Sequence, residues 1–168
     1  MITTVINTPV GPISLESDGT ALTQITFHAP PKSATTAPAG ILAEATRQLC
    51  AYFARKLQHF DLPLAPAGTP FQLDVWHALE TIPYGDTWSY SELARRIGRP
   101  AAIRAVGAAN GRNPLPIVIP CHRVIGSNGK LVGFGGGLPV KQFLLELERP
   151  SLLSQPVPRF RSSGVPKF

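Results

Sequence analysis

The side chain with the most chemistry to offer is Cys121, which stands in the run Pro120-Cys121-His122-Arg123-Val124. A thiol is a useful nucleophile only as its thiolate, and an unperturbed cysteine has a pKa of about 8.5, so such a role near neutral pH needs a base or a cation close by. His122 and Arg123 are the candidates by position, although neighbours along a chain need not touch the sulfur. A buried cysteine beside an unrelated histidine would leave the same trace. The preceding run, 113–120, is apolar and contains Pro114, Pro116 and Pro120, which fix φ and remove donors, so Cys121 comes at the end of a stiff segment. After it, 124–131 is turn-rich around Gly126-Ser127-Asn128-Gly129 and is expected as a hairpin, followed by the loop Gly133-Phe134-Gly135-Gly136-Gly137. That loop lacks the Lys-Ser/Thr ending of a phosphate-binding P-loop and follows no Rossmann strand, so a nucleotide cradle is rejected. Glycine here leaves room for a bulky planar group beside the cysteine.

Several elements must position these residues. Residues 2–7, 13–16 and 22–27 are rich in β-branched types and are separated by Pro9-Val10-Gly11-Pro12 and Asp18-Gly19, the pattern of a small antiparallel meander. Residues 30–40 form a loop. Leu42, Ala45, Leu49, Tyr52, Phe53 and Leu57 recur at helical spacing and predict an amphipathic helix over 41–60, in which Cys50 is expected as a small core residue. Pro63, Pro66 and Gly68 break that pattern and mark a domain boundary. Helices follow over 70–80, capped by Thr69, and over 90–97, capped by Ser89 or Thr87 and closed by Gly98. Pro100 suits the first turn of a third helix, 101–110, and a last helix covers 138–148. The pair joined by Gly98-Arg99-Pro100 is a helix-turn-helix candidate, although any αα-corner has a similar signature. Its second helix is lean, with Ala101, Ala102, Ala105, Gly107, Ala108 and Ala109 around one long cation, Arg104, whose burial without a partner would be costly.

The 168 residues and 43% hydrophobic content suffice for a packed core, and no signal-peptide pattern or membrane-spanning run is seen, so an intracellular, cytoplasmic location is expected. Cys50 and Cys121 allow at most one disulfide and show no C-x-x-C spacing, which favours a reducing compartment. Much of the +6 charge lies between Trp88 and Arg123, where Arg95, Arg96, Arg99, Arg104, Arg112 and Arg123 face the single acid Glu92. Such clustering suits a polyanion partner, because neutralising phosphates releases counterions, but charge alone fits a solvated basic face equally well.

Taken together, PCHRVIGSNGKLVGFGGG, the preceding RAVGAANGRNPLPIVI and the following LPVKQFLLELE resemble the O6-alkylguanine-DNA alkyltransferase family over about residues 70–148. The resemblance implies an α+β fold: a small N-terminal domain of antiparallel strands and a helix (1–65) and a mostly helical domain with the helix-turn-helix and the reactive cysteine (66–150), while the proline-rich basic stretch 151–168, which has no acid, is expected as a weakly ordered tail. It implies single-turnover transfer of an alkyl group from O6 of guanine in duplex DNA, with O4 of thymine as a second candidate, to Cys121 after base flipping. His122 would act as base through a water, Glu148 would orient it, and Asn113 would hold the active-site turn. Arg104 would fill the gap left by the extruded base. Tyr90 would press on the phosphate side and serve the base's N3. Ala105, Gly107, Asn110 and Arg123 would join these two in meeting DNA. Pro116, Phe134, Gly135, Gly136 and Lys141 would form the substrate pocket.

The same resemblance implies a protein that is monomeric when free and able to bind DNA cooperatively, with no cofactor. Some members hold zinc in the first domain through cysteines and histidines. This chain has no cysteine before Cys50 and only His28 and His59 nearby, so no metal is expected. The family often carries tyrosine where this chain has Phe134, and serine where it has Gly135. The missing hydroxyls leave backbone amides to meet O6, and the extra glycine is expected to tolerate alkyl groups larger than methyl. Noncatalytic relatives that only recognise alkylated bases replace the cysteine, often with tryptophan, whereas this chain keeps it. A thiol hydrolase using Cys121 and His122 is a further alternative. It would need an oxyanion hole and would leave the Arg104 helix without a task.

Overall fold

The computed structural model describes residues 1–30 and 37–149. The basic tail expected over 151–168 lies outside the described residues, as does part of the loop expected over 30–40. The chain begins with an antiparallel meander of β1 (Ile2–Thr8), β2 (Gly11–Ser17) and β3 (Leu22–Phe27), in the order β1-β2-β3. Gly11, at φ +98°, opens β2 opposite Thr8, and Asp18 Oδ1 accepts the amides of Thr20 and Ala21 to close the second turn. Helix α1 (Gly40–Phe53) buries Leu42, Ala45, Leu49, Tyr52 and Phe53 beneath the sheet.

That helix stops seven residues short of the expected Phe60. Arg55 adopts a left-handed φ of +59°, and its Nε donates to the carbonyl of Leu147. Gln48 then pins the returning chain at both main-chain atoms of Asp61, each at 2.9 Å. Leu57 and Phe60 therefore reach the core from irregular chain, which imitates helical spacing. Cys50 is exposed, a correction to the core position expected for it.

In the second half, α2 (Pro70–Leu79) opens with a full capping box between Thr69 and Gln72, and the Trp76 indole donates 2.9 Å to the carbonyl of Ala109. A two-residue strand β4 (Trp88–Ser89) leads into α3 (Tyr90–Arg96), whose first turn is capped by the Ser89 hydroxyl. Gly98 closes α3 at φ +74°. Pro100 sits in a separate turn closed by the Ala102 amide on the Arg99 carbonyl, so α4 runs Ile103–Gly111 and begins two residues later than expected. Cys121–Arg123 form one 3-10 turn, and β5 (Val124–Ile125) pairs in parallel with β4. The hairpin expected over 124–131 is thus absent. Gly126 and Lys130 close a tight turn, but the partner strand comes from 88–89. Helix α5 (Leu138–Leu147) ends with Glu148 as its cap.

One hydrophobic core runs through both halves. Polar contacts tie them as well: the Ile25 amide donates to the Pro114 carbonyl at 2.8 Å, and His28 Nε2 lies 2.9 Å from the carbonyl oxygen of Gly136. The stretch expected as a boundary is itself attached to the first sheet through a parallel bridge between Leu22 and Leu64.

Candidate active site

Cys121 is delivered by a strained turn. Ile117, a β-branched residue, sits at φ +74°, while the Ile119 amide donates to the Leu115 carbonyl and the Cys121 amide to the Ile119 carbonyl, each at 2.8 Å. A bulky residue in this region costs about 1–3 kcal/mol and needs its surroundings to hold it. Asn113 does so from both ends: its Nδ2 donates 2.8 Å to the Ile119 carbonyl, and its Oδ1 accepts the Leu115 amide at 2.9 Å. The cysteine is 5% exposed. Burial pushes its thiol up to about 11, against the opposing pull of the Asn113 side chain, the Lys141 ammonium and the amides of Cys121 and His122. Burial thus favours the neutral thiol over the thiolate.

Beside it lies a buried charge network. His122 Nε2 is 2.7 Å from Glu148 Oε1, and its Nδ1 is buried with no protein partner, so one ring nitrogen is oriented by the carboxylate and the other is left to handle a proton. Arg123 grips the same carboxylate twice, Nε to Oε2 at 2.9 Å and Nη2 to Oε1 at 3.0 Å, while its Nη1 donates to the Ile82 carbonyl. Burial of Glu148 works against its charge, but His122 and Arg123 outweigh it and hold the carboxyl well below the usual range. Arg123 therefore serves the interior. The expectation that it meets DNA is corrected, because the guanidinium is buried with its donors engaged. Tyr52 completes the network, its hydroxyl donating 2.7 Å to Glu148 Oε1. Sequence reading saw it only as an apolar helix position, and no local signal marks a contact that spans 96 residues.

A pocket of about 360 Å³ opens over Cys121. Pro116, Phe134 and Gly135 line it, as expected, and so do Asn110 and Asn113. Its other wall, Gln24 to Phe27, comes from β3 and was not anticipated. The Phe27 and Phe134 rings stand 5.5 Å apart, and a Cβ on Gly136 would fall 2.8 Å from Phe27 Cδ2 and 3.0 Å from Phe134 Cε2. Glycine at 136 is thus needed for two aromatic rings to close over the loop. Lys141 is placed differently from the expectation: it is buried behind the pocket and does not line it. Its ammonium donates to the carbonyls of Val124 (2.7 Å) and Val132 (2.9 Å), and burial pushes it down to about 8.

Helix α4, packed against α3, reaches the pocket with Asn110 and Gly111 at its C-terminal end. Arg104, Ala105 and Ala108 of α4 are exposed, whereas Gly107 is half-buried, its Cα facing the Tyr90 ring. Tyr90 is half-buried and near Cys121. Burial first, and then the charge of a Cys121 thiolate, raise its phenol, while a hydrogen bond with Asn110 lowers it. Asn110 is buried, its Nδ2 3.4 Å from the Cys121 carbonyl and its Oδ1 without a protein partner, so it faces the pocket floor and not the outer surface. Of the clustered arginines, Arg95 and Arg96 both pair with Glu92.

Two domain descriptions match this chain: 6-O-methylguanine DNA methyltransferase, ribonuclease-like domain, over residues 1–66, and 6-O-methylguanine DNA methyltransferase, DNA binding domain, over residues 70–150. Over 149 residues the chain is 50% identical to the methylated-DNA--protein-cysteine methyltransferase of Methanosarcina acetivorans, covering 86% of this chain and 96% of that protein. It belongs to the 6-O-methylguanine DNA methyltransferase family. Among solved structures, this family member is similar to Mycobacterium tuberculosis OGT in complex with DNA, with a TM-score of 0.80 and 46% identity, covering 90% of this chain and 97% of that one. A more distant likeness is to the O6-methylguanine-DNA methyltransferase of Pyrococcus kodakaraensis, with a TM-score of 0.59 and 25% identity over 88% of this chain and 99% of that one. The α+β architecture expected from the sequence is the one these methyltransferases share.

Proposed function

We propose that this chain repairs alkylated DNA by direct reversal, moving the alkyl group from O6 of guanine in duplex DNA onto Cys121. The observation that carries this reading is the placement of Cys121 at a pocket walled by Phe27, Phe134 and Pro116, with the Glu148-paired His122 next to it in the same 3-10 turn. The exposed, lean α4 lies against the minor groove, and Arg104 takes the space of the guanine that turns into the pocket. Sγ attacks the alkyl carbon in line with the C–O6 bond. The S–C bond forms as C–O6 breaks, the electron pair goes to the guanine ring, and the thiol proton passes to His122 and then to the departing base. Glu148 holds the imidazole for that proton. Asn113 fixes the turn that aims the sulfur, and the Tyr90 hydroxyl meets N3 of the base. Lys141, behind the pocket, adds a positive field that favours charge leaving on guanine.

The product is a thioether, a poor leaving group, so each molecule reacts once. Residues 1–65 act as the scaffold that closes the pocket, and residues 66–150 carry the DNA contacts and the chemistry. No helix among the described residues is long and apolar enough to cross a membrane. The protein acts as a monomer in the cytoplasm, where a free thiol is maintained. Mixing it with a duplex containing O6-methylguanine and taking an intact mass tests the reading. One methyl increment per protein is expected. Tight binding without an adduct, or an adduct that turns over, would overturn it.

A further inference from the structure

We infer that Tyr52, from the first half of the chain, is a positioning residue for the transfer: its hydroxyl fixes the Glu148 oxygen on which the His122 ring is seated. The inference rests on the transfer chemistry proposed above and adds to it a part supplied by the N-terminal domain. Tyr52 is fully buried in α1, where its ring packs edge-on against Phe53 and Tyr84 and is tilted against Phe60. Phenylalanine would make all of those contacts. The hydroxyl is what packing does not explain, since burying one without a partner is unfavourable and a phenylalanine would avoid the cost.

Its partner is specific. Glu148 Oε1 takes Tyr52 at 2.7 Å, His122 Nε2 at 2.7 Å and Arg123 Nη2 at 3.0 Å, while Oε2 takes Arg123 Nε at 2.9 Å. Arg123 alone would hold the carboxylate in one plane. The phenol adds a further donor to Oε1, the same oxygen that the imidazole meets. The same end of α1 also holds the main chain of α5 at its last turn, Arg55 Nε donating 3.1 Å to the Leu147 carbonyl. Tyr52 of α1 and Arg55, two residues past its end, thus fix the head group and the backbone at the point where Glu148 leaves its helix.

The phenol stays a neutral donor throughout, because burial, and after it Glu148, raise it well above its ordinary value. The charged and titratable groups that face the carboxylate are His122 and Arg123 from the 3-10 turn, Tyr52 from α1, and Tyr84, whose ring lies 5.6 Å from the Arg123 guanidinium. Removing the phenol hydroxyl leaves Oε1 one donor poorer. The carboxylate then attracts the imidazolium proton more strongly while holding the ring less firmly.

The test is the single-turnover transfer rate on an O6-methylguanine duplex, measured against pH for wild type, for Tyr52→Phe and for protein carrying 3-fluorotyrosine at position 52 only. Tyr52→Phe is expected to bind duplex as wild type does. Its maximal rate should fall roughly 10-fold, with the acid limb of the profile moved to higher pH. The fluorinated phenol is a stronger donor and should move that limb to lower pH with the maximal rate kept within about twofold. A Tyr52→Phe profile that superimposes on wild type, or variants that move the limb in the same direction, overturns the inference. If Tyr52→Phe does not fold, an unmoved limb in the fluorinated protein does so by itself. Wild-type protein that transfers no methyl group would instead refute the proposed function, so the two failures are distinct.

Discussion

Cys121 should be slow toward general soluble electrophiles that do not seat in the guanine pocket. Burial lifts its thiol from 9.0 to about 11. At pH 7 that displacement lowers the thiolate fraction about 100-fold, equivalent to about 3 kcal/mol of resistance to ionisation. Burial of the sulfur adds a steric barrier of the same sign. Burial pushes Lys141 down to about 8, so the pull its ammonium exerts on the thiol weakens as the medium becomes alkaline. The assay is alkylation by iodoacetamide between pH 6 and 11, followed by peptide mass spectrometry, with the exposed Cys50 as control in the same tube. Cys121 labelling at pH 7 should lag by about two orders of magnitude behind a thiol of ordinary acidity, with no midpoint reached below about 11. A midpoint at or below 9, or labelling at pH 7 as fast as Cys50, would refute the reasoning and imply a preformed thiolate. The raised thiol also makes stability fall as pH rises from 9.0 toward 11, because the folded state holds that proton longer than the unfolded chain.

Glu148→Gln should abolish transfer and, by leaving Arg123 buried without its counter-charge, destabilise the fold by about 3–5 kcal/mol in urea titrations at neutral pH. Because the folded carboxyl lies below its unfolded value of 4.5, this difference should be complete above that pH and shrink as pH falls below it; a pH-independent difference would contradict the ion-pair account. Gly136→Ala should force Phe27 and Phe134 apart and slow transfer roughly 10-fold, with duplex affinity little changed. Adding Phe27→Ala should restore part of the rate, and strict additivity in that double-mutant cycle would rule out the shared wall. Arg104→Ala should keep reactivity toward O6-benzylguanine as a free base while losing rate on duplex, and equal losses on both substrates would remove the helix from DNA recognition. Acceptance of that benzyl group at all tests the expectation that Gly135 leaves room for alkyl groups larger than methyl.

The parts of the fold governed by local rules were legible in the sequence. The Thr69–Gln72 box, the Ser89 cap, the Gly98 terminus and the strand pattern of residues 2–27 each follow from atoms a few residues apart. Errors arose where distant chain decides. The helix expected through Phe60 ends at Phe53 because Arg55 and Gln48 have partners elsewhere, at Leu147 and Asp61. The hairpin after Val124 gives way to pairing with Trp88 and Ser89. Arg123 looked like one more cation in a basic segment, and only the fold reveals that it faces Glu148. The β3 wall of the pocket and the Tyr52 hydroxyl were hidden for the same reason. Neither residue type nor spacing marks a side chain that acts across the boundary between the two halves.

Cys121 should act as an alkyl acceptor that is used once. A duplex carrying O6-(trideuteriomethyl)guanine in several-fold excess over protein, followed by peptide mapping at the end point, addresses it directly. One trideuteriomethyl group per molecule is expected, all of it on the peptide containing Cys121, with no further repair after that site is filled. Repaired guanine in excess of protein, or label on Cys50 or released as methanol, would contradict it.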